Sequence, residues 1–510
     1  MTSFFSVMPE ILEGLCSLDV VLVLVVGTLG GMIIGALPGL SANMGIALMI
    51  PFTYKMDPTC AIICLCTIYT SAIAGGSISA ILIHTPGTPS SAATALDGYP
   101  LTRQGRGLEA LGISILSSAL GGLLSGVALL FLSSLLARFS VKFGSEEYFL
   151  LAVFGLSIIA SLASENLVKG LVSGALGLFL ATWGIDAMIG FPRFTFGNIH
   201  FYSGIQMVPA MIGLFSIPQV LNQMTAAFRQ QRNPVKSELG EVKGSFFPKW
   251  KTFRSLVPTI LQSTVIGVSV GILPGAGADV GSWVSYNQAK QISRNKEQFG
   301  KGALEGVAAA EAANNAVCGG SLIPALTLGI PGSSAAALIM GGLMVHGLFP
   351  GPDLFTTKAA VTYSVMVGFI LANIMLYIVG AAICRYVIHV TRIPSAIMCA
   401  VIVVLSVVGS YAINKSMFDV FVMFAMGFIG YLMNKFDYAP AATVLGLVLG
   451  YTAEKGLRQA ISLSEGSSLI AHFMGRPISV FLAIMIVAAL CIPLLEKARG
   501  AGKRTKEGDL

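Results

Sequence analysis

The chain is poor in charge. Of its 510 residues, 11% are Asp, Glu, Lys or Arg and 55% are hydrophobic. A soluble domain carries about 25% charged residues, and a water-facing surface cannot be covered with less than half of that. Residues 20–54, 59–96, 110–137, 194–228, 255–278, 312–352, 359–384, 393–414 and 477–495 contain no Asp, Glu, Lys or Arg. The first 54 residues contain no Lys or Arg, so the basic n-region of a cleavable signal is missing. The 8 cysteines are scattered, and Cys60, Cys64 and Cys66 cluster without a matching His or Cys group; they read as small buried hydrophobes rather than as a disulfide framework. His200, His346, His389 and His472 are dispersed without partner spacing, so no metal site is expected. A GxxxxGK[ST] phosphate loop is absent, as are an HExxH pair and a nucleophile with a nearby base. These absences argue against a P-loop ATPase and against a membrane-embedded enzyme.

What remains is a chain whose solvent is lipid. A helix spans a bilayer with about 20 apolar residues, and several of the uncharged runs suffice once or twice. Shorter candidates lie at 148–164, 170–185, 420–434 and 438–453. The runs are not the alternating ten-residue strands of an outer-membrane barrel, and helices are the remaining way to satisfy every backbone group in lipid. The expected fold is an all-α polytopic membrane protein with roughly 10–14 membrane segments, including re-entrant or broken helices.

The net charge of +7 is concentrated in two places and is not a nucleic-acid signature. Residues 222–254 hold Arg229, Arg232, Lys236, Lys243, Lys249, Lys251 and Arg254, and the tail holds Lys497, Arg499, Lys503, Arg504 and Lys506. Basic loops stay in the cytoplasm. The 222–254 loop is therefore placed inside, and the N-terminus, with Glu10, Glu13 and Asp19, outside. The expected organisation is a first membrane repeat over 1–221, a basic cytoplasmic loop over 222–254, a second repeat over 255–495 and a basic tail over 496–510.

The repeat is visible in the sequence. Residues 35–43 read GALPGLSAN and residues 271–279 read GILPGAGAD. Further on, Gly75-Gly76-Ser77 and Thr85-Pro86-Gly87-Thr88-Pro89-Ser90-Ser91-Ala92 are matched by Gly319-Gly320-Ser321 and Ile330-Pro331-Gly332-Ser333-Ser334-Ala335. Pro38, Pro86, Pro274 and Pro331, each followed by glycine, break apolar runs. Irregular backbone at membrane depth is tolerated where it is buried in protein or lines a cavity, and paired breaks in two halves point to a transporter's binding site. After each LPG too few residues remain for a crossing. Residues 255–289, with basic flanks at both ends, are expected to enter, turn at Pro274-Gly275 and return; residues 20–54 do the same from the opposite face. That makes the repeats inverted, and the basic tail then calls for an extra crossing in the second half. Gly27, Gly31, Gly35 and Gly39 recur every fourth residue, as do the pairs Gly170 and Gly174, and Gly446 and Gly450, a spacing that lets helices approach closely.

The motifs resemble those of the large membrane subunit of the tripartite tricarboxylate transporters, the TctA-type family. The matching stretches are GALPGLSANMGIALMIPFTYKMDP, YTSAIAGGSISAILIHTPGTPSSAATALDGYPLTRQG, GILPGAGADVGSWVSYNQAK and FGKGALEGVAAAEAANNAVCGGSLIPALTLGIPGSSAAALIMGGL. Ala310 departs from the pattern, in which proline precedes the Glu-Ala-Ala-Asn-Asn run. The resemblance implies a secondary carrier in a bacterial inner membrane that works with a small membrane subunit and a periplasmic solute-binding protein. Such a carrier imports citrate or related tri- and dicarboxylates with sodium or a proton as the coupling ion and needs no cofactor. Another binding-protein-dependent anion:cation symporter, or a carrier of a non-carboxylate solute, predicts the same breaks. A channel would show flux without gradient coupling, and a scaffold has no need of paired breaks.

An anion needs donors, which helix N-termini and the hydroxyls beside them supply. The candidates that follow the breaks are Ser41, Asn43, Ser77, Thr85, Thr88, Ser90, Ser91, Ser321, Ser333 and Ser334; the competing reading is that they cap the next helix. For the cation, oxygen ligands are expected from the unwound carbonyls at Gly39, Gly87, Gly275 and Gly332, and from Asn314 and Asn315. Asp279 and Glu311 are intramembrane carboxylates, functional by default, with Asp279 preferred; a structural pair with Lys290 or Lys301 is the alternative. His84 is either a proton relay or a neutral histidine bonded within the bundle. Asp97 and Glu109 are expected to form an interfacial ion network with Arg103 and Arg106.

Overall fold

The computed structural model describes residues 4–37, 39–162, 167–186, 189–232, 245–387, 395–464 and 468–491. After a short α1 (Met8–Leu15), the first half runs through α2 (Leu18–Ala36), α3 (Ala42–Thr53), α4 (Pro58–Ile83), α5 (Ala92–Arg103) and α6 (Gly107–Ser140). Helices α7 (Ser145–Leu162), α8 (Leu167–Ala181) and α9 (Met207–Arg232) follow. The second half has α10 (Trp250–Ile272), α11 (Gly277–Ile292), α12 (Leu304–Leu328), α13 (Ser334–Val345) and α14 (Ala359–Val387). It is followed by α15 (Ser395–Asn414), α16 (Met417–Lys435), α17 (Pro440–Leu463), α18 (Leu469–Met474) and α19 (Pro477–Cys491). Among the described residues, α2, α4, α6, α10, α14, α15 and α16 are long and apolar enough to cross a membrane, and α3, α8, α13 and α19 are shorter apolar helices. The all-α polytopic class is therefore borne out.

Local chemistry sets the helix starts. Ser17 accepts from Val20 N–H ahead of α2, Ser41 from Met44 N–H ahead of α3, and Ser333 from Ala336 N–H ahead of α13. Asp57 caps Thr59 and Cys60, with Pro58 at the first turn of α4; each cap satisfies a donor that the first helical turn leaves without a partner.

Each LPG break turns the chain back. Gly35 packs on Ala72 and Gly31 on Ile68, so α2 and α4 run parallel; α3 therefore returns the chain between them. The same course holds for α10 and α12, where Gly267 packs on Ala313 and Gly271 on Val317, while Ser285 of α11 bonds back to Ala309. The return arms α3 and α11 have 12 and 16 residues, short of the roughly 20 a crossing needs. At the turns Gly39 (φ 84°) and Gly275 (φ 82°) take up left-handed backbone, which glycine adopts without a Cβ clash. Pro38 lies outside the described residues.

The halves are inverted relative to each other. Ser77 of α4 bonds to Glu311 of α12, while Tyr69, eight residues earlier, reaches Ser321, ten residues later. The two central helices are therefore antiparallel, and α6 and α14 are too: Gly122 meets Asn373 and Gly126 meets Phe369.

The structure also corrects the register of the repeat by one residue. Gly87 N–H donates to Gly76 O at 3.1 Å, and Gly332 N–H donates to Ser321 O at 3.2 Å. His84 and Gly329 are the left-handed C-caps of α4 and α12, at φ 55° and 71°. Gly76 thus answers to Ser321, and Gly75 to Gly320, rather than GGS to GGS. The reason is close approach: a Cβ on Gly75 would lie 2.6 Å from Met32 O, and one on Gly320 2.7 Å from Val268 O. One glycine per half stands at this crossing, and the other glycine of each doublet packs elsewhere, Gly76 on Thr88 and Gly319 on Ser125.

The expected boundary at residue 221 falls inside α9, and the basic stretch is helical up to Arg232 and again from Trp250. Lys236 and Lys243, and the tail from residue 492 onward, lie outside the described residues.

Candidate functional site

In each half the two breaks stack. A Cβ on Gly87 would lie 2.0 Å from Gly35 O, and one on Gly332 1.9 Å from Gly271 O. Gly275 N–H also donates to Gly332 O at 2.9 Å. The unwound strands thus touch through backbone, and α3 and α13 leave this centre with their N-termini toward each other. Asn43 Nδ2 donates to Ser334 Oγ at 2.8 Å, and both residues are part-exposed. Behind them, Ser333 Oγ lies 3.0 Å from Tyr69 OH and 3.2 Å from Ser321 Oγ. A neutral cluster of two helix N-termini, an amide and hydroxyls is suited to an anion. Tyr69 escaped the sequence reading because it lies mid-run with no break beside it. Gln219 and Gln223 of α9 also went unremarked, although their side-chain nitrogens lie 3.0 and 3.4 Å from where a Cβ on Gly39 would be.

The other candidates are placed differently. Ser41 is spent as the cap of α3. Thr88 Oγ1 pairs with Ser90 Oγ at 3.0 Å, and Ser91 Oγ donates to Thr88 O at 2.8 Å. All three are buried. Thr85 is exposed beside Pro86 and donates to Ile83 O at 3.3 Å. Ser77 turns away from the anion-suited cluster toward Glu311. Asn315 is engaged at both ends, donating to Ser118 O at 3.0 Å and accepting from Cys318 Sγ at 3.6 Å. Asn314 donates to Glu311 Oε1 at 3.3 Å.

The two intramembrane carboxylates differ in their surroundings. Asp279 is exposed at the start of α11 with its carboxylate folded over Gly277; among the described residues it forms no ion pair with Lys290 or Lys301. Glu311 is fully buried. Of the expected ion network, Arg106 and Glu109 pair at 2.8 Å, but Asp97 does not take part. It is buried and accepts from the N–H groups of Gly300, Gly302 and Ala303 at 2.8–2.9 Å and from Tyr286 OH at 2.9 Å. Its position on α5 turns it inward onto the loop before α12, whose glycines expose three N–H groups no helix satisfies. His84 is exposed and its ring lies 4.6 Å from that of Tyr99.

A cavity of about 560 Å³ borders the second break at Gly329 and α13, with Tyr148, Met344, Lys455 and Gln459 in its wall. Lys455 and Gln459 also line a neighbouring cavity of about 200 Å³ that holds Arg193. Both lie at the end of the bundle where α12 finishes.

Two inverted halves with stacked helix breaks at their centre define a membrane transport protein of the broken-helix class. The chain belongs to the tripartite tricarboxylate transporter TctA family, whose model matches residues 21–445. It is 36% identical over 483 residues, 94% of each chain, to an uncharacterised 52.8 kDa protein of Agrobacterium vitis encoded in the TAR-I region 3′ of ttuC′. It is also 35% identical over 233 residues to an uncharacterised protein of the corresponding TAR-II region of the same organism, covering 46% of this chain and 96% of the relative. No solved structure matches it.

Proposed function

We propose that this chain is the large permease subunit of a binding-protein-dependent secondary transporter in the bacterial inner membrane. It imports citrate or related tri- and dicarboxylates by symport with sodium or a proton, through alternating access of the two inverted halves. A small membrane subunit and a periplasmic solute-binding protein complete the system. The N-terminus lies outside and residues 222–254 face the cytoplasm. The observation that carries this reading is the hydrogen bond from Asn43 to Ser334, which joins the N-termini of α3 and α13 across the halves. Both helices aim their positive ends and free N–H donors at one part-exposed point, with no carboxylate among the side chains of that cluster. A carboxylate substrate that displaces the Asn43–Ser334 bond would take up both donors. The cavity beside Gly329 borders α13 through Met340 and Met344, on the face of the bundle taken here as opposite the basic loop.

The test is uptake of labelled citrate and a panel of dicarboxylates by proteoliposomes holding all three parts, with and without a sodium gradient. Gradient-dependent uptake that needs every part is expected. Absence of uptake of any carboxylate would reopen the substrate class.

A further inference from the structure

Glu311 sits at the centre of the bundle, fully buried, in a cage drawn from four helices. Ser77 of α4 and Thr94 of α5 donate to Oε1, the latter at 2.5 Å, and Ser118 of α6 donates to Oε2 at 2.7 Å. Asn314, one turn along α12, contacts Oε1 through its amide. Among the described residues, no Lys, Arg or His forms an ion pair or hydrogen bond with the carboxylate. The titratable groups on the neighbouring elements are engaged elsewhere or turned away: Asp97 with Tyr286, Glu109 with Arg106, Glu305 with Thr259 and Ser293, Tyr69 with Ser333, Asp279 over its own helix end. An isolated carboxylate in this setting is costly. Two further buried oxygens belong to this region: Ser114 Oγ, one turn before Ser118, and Asn314 Oδ1, which has no hydrogen-bond partner among the described residues.

The corrected register shows that the cage is not a by-product of the repeat. The shift that relates Gly76 to Ser321 and Gly87 to Gly332 places Cys66 at the position equivalent to Glu311, and Tyr69 at that of Asn314. The equivalent crossing in the other half is therefore closed by a buried thiol, so packing alone does not require a carboxylate there.

We infer that Glu311, with Ser77, Thr94, Ser118 and Asn314, forms the binding site of a sodium ion, a reading that rests on the cation-coupled transport proposed above. The single negative charge cancels that of one monovalent cation, and the surrounding ligands are hard oxygens. A proton would need one acceptor; here three hydroxyls and an amide converge, and each hydroxyl keeps a lone pair for a metal. The Asn314 amide, turned over, presents its unpartnered Oδ1 to the same point. The site lies apart from the Asn43–Ser334 cluster, so ion and substrate occupy different places in the interface between the halves.

Thermal melting of the full-length chain in detergent, without substrate, tests this independently of transport. Sodium chloride is titrated against choline chloride at constant ionic strength, and the series is repeated at several pH values. Sodium is expected to raise the Tm of the wild type and to leave that of Glu311→Gln unmoved. Ser118→Ala and Thr94→Val keep the carboxylate and guard against a misfolded Glu311 variant. Each is expected to raise the half-maximal sodium concentration about tenfold, the factor carried by ~1.4 kcal/mol. Equal sodium stabilisation of wild type and Glu311→Gln overturns the site, as do unchanged half-maximal concentrations in both hydroxyl variants. A wild-type melt that moves with pH but not with sodium overturns it in favour of a proton. Failure of carboxylate uptake beside a sodium shift that depends on Glu311 would sink the substrate reading and leave this site standing.

Discussion

Asn43 and Ser334 lie 291 positions apart in the chain, and one hydrogen bond of 2.8 Å joins them. Each follows a helix break, and each belongs to a different half. If this contact marks the substrate position, its two members have separable effects. Ser334→Leu fills the space between the helix ends and is expected to abolish carboxylate uptake. Asn43→Ala removes one donor and is expected to raise KM about tenfold or more, since a hydrogen bond to a charged group is worth roughly 1.5–3 kcal/mol. Membrane expression, read by immunoblot, should match the wild type in both. Normal uptake by both variants would detach the contact from the site.

The stacking of the breaks admits no Cβ. Gly332→Ala would set one 1.9 Å from Gly271 O, and Gly87→Ala one 2.0 Å from Gly35 O. Backbone oxygens held by two helices cannot retreat as a side-chain end can, so the cost should reach or exceed the roughly 1–3 kcal/mol typical of overpacking. Size-exclusion profiles of the solubilised variants should show loss of the folded peak. Gly30→Ala, on the same helix as Gly35 but with nothing within 4 Å, should be neutral or stabilising by up to about 1 kcal/mol.

Asp97 holds the start of α12. Asp97→Ala leaves three N–H groups and the Tyr286 hydroxyl without their acceptor. A loss on the order of 3 kcal/mol or more is expected. Tyr286→Phe removes one of the four bonds and should cost about 1 kcal/mol. Melting temperatures that rank wild type, Tyr286→Phe and Asp97→Ala in that order would bear this out; an unchanged Asp97→Ala would not.

His84 occupies the left-handed C-cap that Gly329 fills in the other half. For a non-glycine residue that conformation costs roughly 1–2 kcal/mol, offset here by the ring contact with Tyr99. His84→Gly should therefore retain uptake, with a Tm close to that of the wild type. Complete loss of uptake with the fold intact would restore His84 as a proton relay.

The inverted course of the halves predicts opposite sidedness for two loops. With the native cysteines replaced, Lys249→Cys should react with an impermeant maleimide from the cytoplasmic face. Phe349→Cys, beside the larger cavity, should react from outside. Labelling of both from one face would reject the orientation.

Several features were legible in the sequence because they depend on local chemistry. Scarce charge in long runs can only mean lipid as solvent. Pro-Gly pairs break helices whatever surrounds them, so the breaks near residues 39, 87, 275 and 332 and their pairing into two halves could be read directly. Return arms too short to cross revealed the hairpins. What depended on which side chain faces which could not be read this way. The GGS doublets suggested a register that the crossing at Gly75 and Gly320 moves by one residue. Asp97, near two arginines in sequence, turns onto backbone N–H groups some 200 positions away. Glu311 and Asp279 look alike as intramembrane carboxylates. Only the packing of α4, α5 and α6 against α12, which sets one hydroxyl from each on Glu311, separates that buried carboxylate from Asp279, exposed at a helix end.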